Sequence, residues 1–294
     1  MLEQAGWVVL VHGGAKTIAP TLHEANRDGC RSSAAAAAAV LRSGGTAVAA
    51  AEAAIRILEN HPIYNAGYGS VRNGAGEVEM DAAMMDGATL DLGAVAAVRT
   101  IRNPITAAAC MLREPFVLLA GAGAEAFARQ KSLEIVAPAD MVSIEALASE
   151  GGHDTVGCVV RDMHGHLAAA TSTGGLAGTP PGRIGDSPLP GCGLYADDAS
   201  GAVSLSGDGE AIARTIVAAR IIDALDHGVG AQDAAERIRL VLRLDAEAGA
   251  IVLDPNGQIG IAHNSDHFAI GIATSEHEAR GAIHRDELQD IIDG

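Results

Sequence analysis

The stretch Gly151-Gly152-His153-Asp154-Thr155-Val156-Gly157 leads a flexible glycine pair into an Asp-Thr bond, and an apolar run, Val156 to Val160, follows at once. A threonine hydroxyl is a poor nucleophile unless a base sits beside it, and one available base is its own α-amine. That amine exists only if the Asp154-Thr155 bond is cut. The arrangement points to a chain that becomes an enzyme by breaking itself in two. Taken alone, an Asp-Thr pair at the start of a strand is usually structural, so the reading depends on what accompanies it.

Several polar signals converge in the 60 residues that follow. Thr171-Ser172-Thr173-Gly174-Gly175 ends a predicted strand, a place where side chains commonly face a site. Pro181 to Pro188 places Arg183 and Asp186 three residues apart on a rigid loop; by itself such a spacing is most often a surface ion pair. Leu205-Ser206-Gly207-Asp208-Gly209-Glu210 is a glycine-rich turn opening a helix, whose free backbone N–H groups suit an anion or an oxyanion. Asp81 and Asp86 invite a metal reading, and a structural role facing the site is preferred.

The elements that must position these groups follow from periodicity and breakers. Trp7 to Val11 reads as a buried strand stopped by His12-Gly13-Gly14. Leu22 to Glu59 reads as two alanine-rich helices broken at Ser43-Gly44-Gly45, and Asn65 to Gly76 as a glycine-punctuated loop. Val78–Met85 and Leu92–Val98 are expected to pair about Asp86-Gly87, and Thr106 to Gln130 to be mostly helical. Val156–Val160 and Leu167–Thr171 form a predicted hairpin about Met163-His164-Gly165, followed by an irregular loop over 174–193, too polar for a core. Glu210–Asp226 and Ala231–Leu244 are predicted helices, Ile251–Asp254 and Gln258–Ala262 a second hairpin, and His267–Thr274 a further strand. Helices followed by strands in both halves favour stacked sheets flanked by helices, an α+β chain.

Of the 294 residues 48% are hydrophobic and 2% aromatic, so the core must be built of Ala, Val, Leu and Ile. Asp and Glu number 37 against 20 Lys and Arg, a net charge of -17 that repels phosphate backbones and argues against a nucleic-acid partner. Four cysteines lie without a CxxC pair, which argues against structural zinc or a redox dithiol. The apolar run at Trp7–Val11 is too short for a signal or a membrane span, and a cytoplasmic protein is expected.

Six stretches together resemble the plant-type asparaginase and isoaspartyl peptidase family of N-terminal-nucleophile hydrolases. They are His12-Gly13-Gly14-Ala15, Asn65-Ala66-Gly67-Tyr68-Gly69, Met80 to Gly87, His153 to Gly157, Thr171 to Gly175 and Pro181 to Pro188, in the family's order. The resemblance implies one domain over 1–294 with a four-layer αββα sandwich, autocleavage between Asp154 and Thr155, and an α chain of 1–154 with a β chain of 155–294. It implies an amidohydrolase acting on side-chain amides of L-aspartyl units, in isoaspartyl (β-aspartyl) dipeptides and L-asparagine, through an acyl-enzyme on Thr155.

The resemblance also assigns roles. Thr173 assists the nucleophile, Asn65 orients it, and Ser206 with Gly207 forms the oxyanion hole. Arg183 grips the substrate α-carboxylate, while Asp186 and the Gly209 carbonyl hold the α-ammonium. Such a clamp demands a free amine and a free carboxylate on one carbon, so main-chain peptides fail it. Backbone carbonyls of Leu58, Glu59, His61, Tyr64, Ala66 and Tyr68 are implied to hold a structural sodium ion; no catalytic cofactor is implied, and a dimer of αβ units is. The family usually carries threonine where Ser206 stands. A rival reading is an NAD(P)-dependent oxidoreductase, because Phe116–Ala120 followed by Gly121-Ala122-Gly123-Ala124-Glu125-Ala126 nearly matches the dinucleotide fingerprint, with Asp140 downstream.

Overall fold

Alternation along the central strands divides the core. In the computed structural model, which describes residues 6–143, 155–284 and 286–287, β1 (Val8–Lys16) turns Val9 and Val11 to one side of its sheet and Val8 and Leu10 to the other. The period of two in a strand makes this division automatic, and a run apolar at every position is a strand buried on both faces.

β1 belongs to an eight-stranded sheet ordered β12-β11-β1-β5-β6-β2-β3-β4. Its other members are β2 (Met80–Asp86), β3 (Leu92–Val98), β4 (Leu118–Ala120), β5 (Thr155–Arg161), β6 (Leu167–Thr173), β11 (His267–Thr274) and β12 (Arg280–Ala282). A four-stranded sheet is ordered β10-β9-β8-β7, from β7 (Leu194–Asp197), β8 (Gly201–Gly207), β9 (Ala248–Leu253) and β10 (Ile259–His263). The sheets meet through β1, β5 and β6 against β8 and β9, over a core that includes Leu10, Val159, Leu167, Leu194, Ile251 and Phe268.

On the far face of the large sheet, α1 (His23–Arg42) lies over β1 and β11, α2 (Ala47–Glu59) over β5 and β6, and α3 (Pro104–Met111) over β2 and β3. Buried alanines at 34, 37, 38, 50, 51 and 54 let α1 and α2 approach closely, which is how so few aromatics suffice. The helix Val217–Asp226 packs on β8, and Ala231–Ala235 on β9 and β10. Among the described residues, no helix is long and apolar enough to cross a membrane.

The two early helices and both predicted hairpins are present. Three helical readings need correction. Thr106 to Gln130 is interrupted: Pro115 lacks the N–H a helix would use, and β4 intervenes before α4 (Gly121–Gln130). Glu210 to Asp226 is two helices, Gly209–Thr215 and Val217–Asp226, divided by the left-handed Ile216. Ala231 to Leu244 passes into a 3-10 helix at Glu236.

The dinucleotide reading also falls. β4 is a three-residue, partly exposed strand at the sheet edge, and β3–β4 is the one parallel pair recorded in that sheet. A dinucleotide fold needs its fingerprint strand inside a parallel sheet, at a crevice between adjacent crossovers.

Candidate active site

Register lines three polar residues across the large sheet. Thr155 is opposite Thr173 at one end of the β5–β6 pair, and Thr173 is opposite Asp81 on β2. The turn after β6 is fixed by Asn65, whose amide donates to the Gly175 carbonyl at 2.7 Å and accepts from the Val71 N–H at 2.9 Å. The Asn65 carbonyl accepts from the Gly174 N–H as well.

Thr155 is buried, and its hydroxyl lies 2.9 Å from that of Ser187. Its backbone nitrogen lies 3.3 Å from Ser206 Oγ, which also accepts the Ala15 N–H at 3.1 Å. Two donors thus occupy the acceptor side of the serine, which leaves the Ser206 O–H hydrogen to be donated elsewhere. Gly207 follows at φ +142°, where a side chain would collide with the Glu247 carbonyl, so glycine is required there. Asp154 and His153 lie outside the described residues.

A small pocket opens beside Thr155, lined by Thr155, Thr173, Gly175, Leu176, Arg183, Asp186, Ser187, Gly207 and Gly209. The 174–193 segment is irregular, as expected, yet it is not peripheral: Asp186 and Ser187 are buried, and the Ser187 carbonyl accepts the Thr171 hydroxyl at 2.7 Å. The guanidinium of Arg183 meets Glu210 side-on, with Nε to Oε1 at 2.8 Å and Nη2 to Oε2 at 2.6 Å. Nη1 remains on the opposite side of the fork.

Electrostatics at the pocket are set by burial. Asp186 is pushed up to about 7 by loss of water, against the pull of the Arg183 charge, and its Oδ2 has no protein partner among the described residues. A buried, unpartnered carboxylate oxygen beside a cavity invites a cationic group. Asp81 is raised to about 6 by burial, opposed chiefly by the hydrogen bond from the Ala97 N–H at 2.8 Å. His12 is driven down to about 3 by burial and stays neutral, 2.9 Å from Ser204 Oγ.

Most of the sequence-derived residues gather here: Thr155, Thr173, Arg183, Asp186, Ser206, Gly207 and Gly209, with Asn65 one turn behind. Three residues were given no role by the sequence reading. Ser187 lies within the Pro181 to Pro188 stretch, where its hydroxyl is the signal that marks it. Glu210 lies 27 positions from Arg183, and nothing in the sequence joins them. Glu59 entered only through its carbonyl, yet its buried carboxyl, raised to about 7 by desolvation, accepts Ser172 Oγ at 2.7 Å, the Ile105 N–H at 2.9 Å and Asn103 Nδ2 at 3.0 Å. It ties α2 and α3 to the strand that carries Thr173.

Residues 5–149 and 142–283 match the model of a family described as asparaginase. A zebrafish (Danio rerio) isoaspartyl peptidase/L-asparaginase is 36% identical over 304 aligned positions, covering 97% of this chain and 98% of the relative. The mouse (Mus musculus) isoaspartyl peptidase/L-asparaginase is 41% identical, over 78% of this chain and 76% of its own. An isoaspartyl peptidase of Salmonella typhimurium is 37% identical, over 88% and 92% respectively. Matches of this extent, together with a threonine, a serine, an arginine and an aspartate around one pocket, place the chain in the family of plant-type asparaginases and isoaspartyl peptidases.

Proposed function

We propose that the chain is a threonine amidohydrolase that matures by cutting itself between Asp154 and Thr155, then hydrolyses the side-chain amide of L-aspartyl units in isoaspartyl dipeptides and L-asparagine. The observation that carries this reading is the placement of Thr155: its nitrogen meets Ser206, its hydroxyl meets Ser187, and it lines one pocket with Arg183 and Asp186.

In maturation, Thr155 Oγ attacks the Asp154 carbonyl carbon, the C–N bond breaks, and the nitrogen takes a proton to become the α-amine. Water then opens the resulting ester, giving chains of 1–154 and 155–294. The new amine, with a reference pKa of about 7.7–8.0, is partly unprotonated near neutrality and can accept the Oγ proton. In turnover, the same oxygen attacks the substrate side-chain carbonyl. The Ser206 O–H and the Gly207 N–H receive the developing negative charge, Thr173 assists, and Asn65 steadies the turn behind them. The amine or ammonia leaves with a proton, and water releases aspartate from Thr155.

Specificity resides in the clamp. The α-carboxylate meets Arg183 on the side that Glu210 leaves open, and the α-ammonium meets Asp186 Oδ2 and the Gly209 carbonyl. The names of the relatives support this choice of substrates.

For the structural sodium, the loop that ends α2 has the necessary folding. A Cβ at Gly67 would collide with the Glu59 carbonyl, and one at Gly69 with the Tyr64 carbonyl, so these oxygens crowd a loop that glycine alone permits. Carbonyls of Leu58, Glu59, His61, Tyr64, Ala66 and Tyr68 are the ligands proposed. The ion would supply rigidity to the loop that carries Asn65. We further propose that the packing described above is one αββα domain, and that two αβ units associate.

The proposed specificity is tested by offering the purified enzyme a β-aspartyl dipeptide and its α-linked isomer. Release of aspartate from the β-linked compound alone agrees with the clamp; equal cleavage of both overturns it.

A further inference from the structure

Three histidines from distant parts of the chain meet outside the catalytic pocket. His23 opens α1, His267 opens β11, and His284 lies two residues beyond β12. One ring nitrogen or other of each lies within 4.8 Å of those offered by the other two. Their ring centroids are 4.9, 5.0 and 5.2 Å apart, and all three are partly exposed, so an ion from solvent can reach them.

Local hydrogen bonds orient two of the rings. His23 Nε2 lies 3.0 Å from the Ile18 carbonyl, a contact that requires the proton on Nε2 and leaves the Nδ1 lone pair free. Donation of one ring N–H to a backbone carbonyl is how proteins orient a metal-binding imidazole. The N–H of the same Ile18 donates to His267 Nδ1 at 3.1 Å, which holds the second ring against the first. Asp266, anchored by the Thr17 hydroxyl at 2.7 Å, adds negative charge beside His267. Glu287 accepts the His284 N–H on the other side.

Three neutral imidazoles with a ring nitrogen of each this close together can become the ligands of one divalent ion.

We propose that His23, His267 and His284 form a binding site for a borderline divalent transition-metal ion of the zinc class, with water completing a tetrahedral shell. The ion would take His23 through Nδ1. Binding at His267 takes place through Nδ1, or through Nε2 once the ring proton has moved to Nδ1, and either way replaces its bond from the Ile18 N–H. Side-chain rotations of the partly exposed rings draw the nitrogens inward. The bound ion ties the start of α1, the start of β11 and the segment after β12 to one point, a staple across the β12 edge of the large sheet.

The test uses the full chain without any histidine tag, stripped by chelation and titrated calorimetrically with zinc chloride. One equivalent is expected to bind. His23→Gln and His284→Gln are each expected to weaken binding at least about 10- to 100-fold, the range that loss of even an outer partner of a ligand costs. Cobalt loading of the stripped protein gives the visible bands of a tetrahedral ion, and His267→Gln abolishes them. Unchanged amide hydrolysis in these variants separates loss of the site from loss of the fold. Uptake well below one equivalent, or equal affinity in wild type and all three variants, overturns the proposal.

Discussion

The Oγ of Ser206 lies 3.3 Å from the backbone nitrogen of Thr155, the atom that cleavage would convert from a peptide nitrogen into the catalytic amine. In the proposed mechanism one hydroxyl would touch the base before it exists as a base, and would donate to the oxyanion afterwards. Ser206→Ala removes that donor and the acceptor of the Ala15 N–H together. Its kcat on a β-aspartyl dipeptide is expected to fall about 100- to 1000-fold, as for other oxyanion donors. Ser206→Thr restores the family's usual residue and should match or exceed wild type; a slower threonine variant would mean that the serine is tuned to this pocket.

Asp186 sets a pH dependence. Burial raises it to about 7, so below that pH a growing share of the enzyme cannot pair with a substrate ammonium. KM is expected to rise as pH falls through about 7. For stability, the folded value lies above the unfolded value of about 3.9, so the contribution of the neutral carboxyl is complete below about pH 4 and is lost as pH rises through about 7. Asp186→Asn, which stays neutral, should melt several degrees above wild type near pH 8, with a gap that closes toward pH 4. Melting curves that differ equally at both ends would remove the charge from the explanation.

Glu210 holds Arg183, the residue proposed to grip the substrate carboxylate. Its two bonds to Arg183 fix a long, flexible side chain in the pocket, and hydrogen bonds between charged groups are worth roughly 1.5–3 kcal/mol. Much of that is screened here, because Glu210 is 46% exposed. Glu210→Ala is expected to raise KM about tenfold with kcat nearly intact. A fall in kcat with KM unchanged would instead place Glu210 in the chemistry.

The legible parts of this molecule are those where neighbours in sequence are neighbours in space. The β5–β6 hairpin follows from two apolar runs about Gly165, and the α1–α2 break from Gly44 and Gly45. The family resemblance links Thr155 with Thr173, and the hairpin register places them opposite each other. Long-range contacts left no trace. The side-on bond of Glu210 to Arg183, the contact of Ser187 with Thr155 and the carboxyl of Glu59 beneath Ser172 join elements whose approach only the assembled sheets determine. Helix continuity was also overread where one backbone event decides the outcome, at Pro115 and at the left-handed Ile216.

The central claim is that Thr155 becomes the nucleophile by freeing its own amine. Intact-mass analysis of the active wild-type protein beside Thr155→Ala tests it most directly. The account predicts two chains from the wild type, corresponding to 1–154 and 155–294, and a single uncut, inactive chain from the variant. An active wild type that remains one chain, or a variant that yields the same two fragments, would contradict it.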